Sequence, residues 1–116
     1  MAAKIKIVTK AVSMTAMLND SKTSAALLEA LPVKSTAERW GDEVYFSVPL
    51  EMPAENAQAK VPSGTVAYWP DGPSVCLFFG QTPYSPVNPL GTLDGDAKEF
   101  AKVKDGEAVS LERCEE

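Results

Sequence analysis

The sequence predicts a mostly β fold: a closed or nearly closed antiparallel barrel capped by two short helices. Three observations point there. Apolar and polar residues alternate with the strand period of two in stretch after stretch, most cleanly over Glu43–Val48. Only two segments combine capping residues with helical spacing. The run Val75–Phe79 is apolar on both faces, as a central strand covered on both sides would be. An open α+β sandwich is the competing architecture.

The elements follow in order. Lys4–Lys10 reads as a strand with Ile5 and Ile7 on one face, and Val12, Met14, Ala16 and Leu18 mark a second. Asn19-Asp20-Ser21 is a cluster of helix-capping residues. The helix it opens runs about ten residues, with Ser24, Leu27, Leu28 and Leu31 as its inner stripe, and Pro32 ends it. From Val33 onward the pattern is β, through the Glu43–Val48 strand. Three prolines among polar spacers make Pro49–Ser63 a long surface connection. Thr65–Trp69 is a strand stopped by Pro70-Asp71-Gly72-Pro73, and Val75–Phe79 follows. The stretch Thr82–Pro89 is too rich in proline for regular structure. Asp96 and Glu99 have capping-box spacing, which predicts a second helix over Asp96–Val103 with Ala97, Phe100 and Ala101 on one face. Asp105-Gly106 turns into a last strand, Ala108–Arg113.

A chain of 116 residues and 12.4 kDa is expected to form one domain, residues 1–116, and to bury about two-thirds of its unfolded surface. With 16 acidic against 11 basic residues it carries a net charge of −5. Its lysines are scattered, so the basic stripe that phosphate neutralisation requires is missing and nucleic acid is not an expected partner. No leader pattern and no long apolar run is present, which gives the expectation of a cytoplasmic protein without a membrane partner. Two cysteines occur. Cys76 in its apolar run reads as a small core hydrophobe, and Cys114 as exposed; their spacing alone leaves a disulfide between them open.

The absence of histidine removes Ser-His-Asp and Cys-His nucleophilic catalysis and the commonest zinc ligand. No glycine-rich phosphate loop is present, and no metal or cofactor is expected. Asp42-Glu43 are adjacent in a predicted strand, so their carboxyls point to opposite faces and cannot act as a pair. That leaves Asp42 as a turn residue and Glu43 either solvated or at a groove. Seven aromatic residues crowd into these strands: Trp40, Tyr45, Phe46, Tyr68, Trp69, Phe78 and Phe79. In each adjacent pair one ring is expected inside the barrel and the other outside, beneath a loop or beside a groove.

Several blocks carry a resemblance to a known group: Trp40-Gly-Asp-Glu-Val-Tyr-Phe46, Val66-Ala-Tyr-Trp-Pro70, Cys76-Leu-Phe-Phe-Gly80, Thr82-Pro83 and Pro86-Val-Asn-Pro-Leu-Gly91. In this order and spacing the chain resembles the small bacterial and archaeal cyclophilin-like proteins, a family of uncharacterised function, over about Ile5–Leu111. The resemblance implies a closed eight-stranded barrel with a helix at each open end. True cyclophilins are prolyl isomerases that use an arginine and a pocket containing a histidine. This chain has no histidine and only Arg39 and Arg113, neither of which aligns with that arginine, so no catalytic residue is carried over. The chain also passes directly from Ser85 to Pro86, where members of the group carry several more residues, and this shortened loop is expected to border the groove.

The leading functional expectation is a non-catalytic domain that binds a small molecule or an extended peptide. Its candidate groove is formed by Glu43, Tyr45, Tyr68, Phe78, Gln81, Thr82 and Asn88. Two alternatives stand beside it: prolyl isomerisation, and a structural or assembly role in which outward rings bury against a second copy or another subunit.

Overall fold

The computed structural model describes residues 3–114, and among them nine strands form one antiparallel sheet. In chain order they are β1 (Ala3–Thr9), β2 (Ser13–Leu18), β3 (Val33–Thr36), β4 (Glu38–Arg39), β5 (Glu43–Ser47), β6 (Thr65–Trp69), β7 (Ser74–Phe78), β8 (Asn88–Leu93) and β9 (Ala108–Arg113). Their spatial order is β3-β9-β1-β2-β8-β6-β7-β5-β4. The two strands at the ends of this list are consecutive in the chain, separated only by Ala37. Val33–Thr36 pairs with β9, and Glu38–Arg39 pairs with β5. One bent segment therefore joins both edges of the sheet and nearly closes it into a barrel. The expected eight strands become nine because this segment breaks at Ala37, whose N–H donates to the Glu107 carbonyl and whose carbonyl accepts from Gly106 N–H.

Strand alternation sorts the chain into an inside and an outside. Ile5, Ile7, Ala16, Leu18, Val44, Phe46, Val66, Tyr68, Val75, Leu77, Val109 and Leu111 belong to the buried core cluster that fills the barrel. Gly91 lets β8 approach β2 closely, for a Cβ there would run into the Met17 carbonyl oxygen.

Helix α1 spans Lys22–Ala30, capped by Ser21, whose side chain accepts from Ser24 N–H. It buries Thr23, Ser24 and Leu27 and leans on β8, where Ser24 Oγ donates to the Leu90 carbonyl. The second helix, Ala97–Lys102, is 3-10 rather than α. Its cap, Asp96, accepts from Lys98 N–H; Glu99 pairs with Lys102 at 2.8 Å instead of closing a capping box. Three residues per turn align Ala97, Phe100 and Val103 on the buried side and turn Ala101 to solvent, which corrects the α-helical stripe read from the sequence.

The connection between β5 and β6 has no regular structure but is tightly tied down. Tyr68 Oη donates to the Leu50 carbonyl at 2.8 Å and accepts from Met52 N–H at 3.2 Å. Glu55 accepts from the Lys22 and Thr23 N–H groups at the start of α1 and from Thr23 Oγ1. The Thr23 hydroxyl first, then the two backbone N–H groups, hold its carboxyl below the usual carboxylate range.

Candidate functional site

Three adjacent strands, β5, β7 and β6, are covered on both faces, and their outer faces carry a second, smaller cluster. Ala67, Cys76, Phe78 and Val87 are buried there, with Tyr45, Val61 and Trp69 packed against them. The register explains the grouping. Glu43 lies opposite Phe78, Tyr45 opposite Cys76, and Cys76 opposite Ala67, so one row of outward residues runs across all three strands. Inward neighbours on the same strands, Val44, Phe46, Val66, Tyr68, Val75 and Leu77, fill the barrel. Each adjacent aromatic pair therefore splits between the faces: Phe46, Tyr68 and Phe79 go inside, and Tyr45, Trp69 and Phe78 outside.

Over this outer row lies a cavity of about 220 Å³ lined by Trp40, Glu43, Tyr45, Trp69, Cys76, Phe78, Pro83, Tyr84 and Val87. Two loops complete it. The turn before β5 supplies Trp40, held by a hydrogen bond from Trp40 N–H to the Glu43 carbonyl and by Gly41 at φ +59°. The segment between β7 and β8 supplies Pro83 and Tyr84. Four rings meet edge to face in a chain: Trp40–Tyr84 at 5.8 Å between centroids, Tyr84–Trp69 at 6.1 Å, and Trp69–Tyr45 at 6.5 Å. Interplanar angles of 77–83° make them corners rather than a stack. The Trp69 indole is further fixed by donating to Ser85 Oγ at 2.6 Å, which in turn donates to Asp71.

Glu43 is the carboxylate in this lining. It is only 5% exposed, and its Oε1 is buried without a hydrogen-bond partner. Burial raises its carboxyl above the ordinary range, opposed in part by a hydrogen bond with the Cys76 thiol. Burial, reinforced by the neighbouring Glu43, pushes the Cys76 thiol well up. The Tyr45 phenol is also raised, by burial first and then by the carboxylates of Glu38, Glu43 and Asp105.

Of the seven groove residues expected from sequence, Glu43, Tyr45 and Phe78 come together at this cavity. Tyr68 does not: it sits opposite Val75 on the inner face and is fully buried in the core, its hydroxyl spent on the Leu50–Met52 segment. Asn88 is also buried elsewhere, donating to Thr23 Oγ1 and the Pro53 carbonyl and accepting from Glu55 N–H. Gln81 supports the site from behind by accepting from Asp42 N–H, and Thr82 is exposed and outside the lining. Glu43 is buried rather than solvated, while Asp42 is the exposed turn residue expected. Cys76 is buried but on the outer face, Cys114 is half-buried, and both thiols are free. Sequence reasoning missed Trp69, Trp40, Pro83 and Tyr84. The alternation that places Tyr45 outward was the available signal for Trp69, once paired through β7.

A family model described as cyclophilin-like matches residues 3–112. The chain belongs to the cyclophilin-like family. The fold of this cyclophilin-like chain is also that of the hypothetical protein AF2241 from Archaeoglobus fulgidus. That solution structure superposes with a TM-score of 0.86 at 35% identity, covering 97% of this chain and 95% of the other. McbB, solved in complex with tryptophan, shares the fold at a TM-score of 0.71 and 19% identity, with 97% of this chain matched to 45% of McbB. No curated protein matches the sequence.

Within this cyclophilin-like barrel, Arg39 is a structural group. Its guanidinium donates to the Ala101 and Val103 carbonyls at the end of the 3-10 helix and to the Gly41 carbonyl, and it lies 5.2 Å over the Phe79 ring. It is not among the residues that line the cavity. Among the described residues no helix is long and apolar enough to cross a membrane, and no cluster of metal-ligating side chains occurs.

Proposed function

We propose that this protein is a non-catalytic small-molecule binding domain whose site is the aromatic cavity on the outer face of β5, β7 and β6. The observation that carries the reading is the concave, ring-walled cavity itself, built on strands and containing one buried carboxylate, the common design of ligand sites. Its volume of about 220 Å³ lies below the range of roughly 300–1,000 Å³ typical of drug-sized ligands, which favours a small molecule over an extended peptide. McbB, described in complex with tryptophan, is consistent with a barrel of this type serving small-molecule binding. The isomerase reading lacks a comparable support, since the Arg39 donors are occupied by carbonyl oxygens.

A titration of ¹⁵N-labelled protein with a library of small aromatic and aliphatic fragments tests the proposal. Binding is expected to move the indole N–H resonances of Trp40 and Trp69 together with the amides of Glu43 and Cys76. Fragments that perturb other surfaces only, or none, would overturn it.

A further inference from the structure

Resting on that reading of the cavity, we infer that its ligand is a small organic cation, an alkylated ammonium group packed against the aromatic walls with its charge facing the Glu43 carboxylate. Two independent features converge. The first is Glu43 itself. A carboxylate oxygen that is buried and unpartnered is costly wherever it occurs. Here the residue lines a cavity, so a ligand carrying positive charge is what would satisfy it. No lysine or arginine shares the lining, so among the described residues the protein brings no cation of its own to this wall.

The second feature is the character of the walls. Trp40, Tyr45, Trp69 and Tyr84 meet at near right angles, so the lining is a corner of rings with different orientations. Aromatic faces carry the negative end of the ring quadrupole and attract alkylammonium groups, tryptophan most strongly. A hydrated ammonium or metal ion would have to shed water that this lining cannot replace. An alkylated ammonium instead brings its own apolar shell, matching apolar walls around a single carboxylate. An anion is disfavoured twice, by Glu43 and by the ring faces. The surrounding field has the same sign: Glu38, Glu43 and Asp105 all act on the Tyr45 phenol, and the whole chain is at −5.

Choline and its uncharged carbon isostere 3,3-dimethylbutan-1-ol are nearly equal in shape and differ in charge, which makes them the probes. On the wild-type protein, choline is expected to shift the Trp40 and Trp69 indole resonances with a Kd at least tenfold lower than that of the isostere. In Glu43→Gln the choline advantage over the isostere should fall at least tenfold. Equal affinity for the two probes would overturn the cation assignment and leave the cavity as a binding site. Neither probe binding while neutral fragments do would have the same meaning. If nothing, fragments included, reaches the cavity, the functional reading falls with it. The wild-type comparison stands without any variant, so a poorly folded Glu43→Gln protein would not shield the inference.

Discussion

Glu43 occupies a position where a carboxylate opposes folding. Its neighbours across and along the strands are Phe78, Tyr45 and the Cys76 thiol, and Oε1 has no partner. Burial raises its pKa in the folded protein above the unfolded value of 4.5. The folded state therefore binds the proton more tightly than the unfolded state. The favourable contribution of the protonated group is complete below about pH 4.5 and is lost as pH rises through the higher folded-state pKa. Glutamine has the same shape without the charge. Glu43→Gln should match wild type in stability below that pH and exceed it at pH 7, by about 1 kcal/mol or more, the scale of one buried unsatisfied polar group. Urea unfolding followed at pH 4 and pH 7 measures this, and a variant less stable than wild type at pH 7 would show that the carboxylate is satisfied after all. A stabilising loss of charge is the pattern expected where a residue is retained for binding rather than for folding.

β5 was the most legible strand, because Val44, Phe46 and Val48 alternate with Glu43 and Tyr45 and only one face can be the core. β7 gave no such signal: all five of its residues are buried, so its parity comes from pairing with β5 and not from composition. Composition alone does not separate Tyr68 from Trp69, and the structure puts Trp69, not the expected Tyr68, in the cavity lining. The residues that hold the Tyr68 hydroxyl inside, Leu50 and Met52, lie in a connection without periodicity. The same holds for Asn88, whose partners Thr23, Pro53 and Glu55 are remote in sequence. Its three hydrogen bonds fasten the long connection and α1 to the start of β8. Asn88→Ala strands the Pro53 carbonyl and the Glu55 N–H, and should lower stability by about 2–3 kcal/mol. The expected readout is a lower urea midpoint with an unchanged slope. A loss below about 0.5 kcal/mol would mean that solvent or a rearranged loop replaces these bonds. Trp40 and Tyr84, by contrast, stand in turns where no local pattern announces which ring will meet which.

The barrel and the cavity share their strands, and this has a consequence for how the molecule comes apart. Outward residues Glu43, Tyr45, Trp69, Cys76 and Phe78 alternate with inward residues that make the core, so the cavity floor cannot loosen without disturbing the barrel. Closure is equally collective. Ile5 pairs with Arg113, Ala16 with Leu93, and the bent Val33–Arg39 segment bridges both edges, so pairings distant in sequence hold the sheet together. Such a topology favours one cooperative transition and slow folding, on the scale of milliseconds to seconds. Both tryptophans line the cavity, so indole fluorescence reports the outer site while far-UV circular dichroism reports the strands. The two signals should trace the same urea transition with the same midpoint. Fluorescence changing at lower denaturant would mean that the rings of Trp40, Tyr84 and Trp69 form a layer that melts by itself, a mobile cover rather than the preformed wall that the proposed ligand binding requires. Coincident curves would place the site within the same cooperative unit as the core, with its geometry set by the barrel before any ligand arrives.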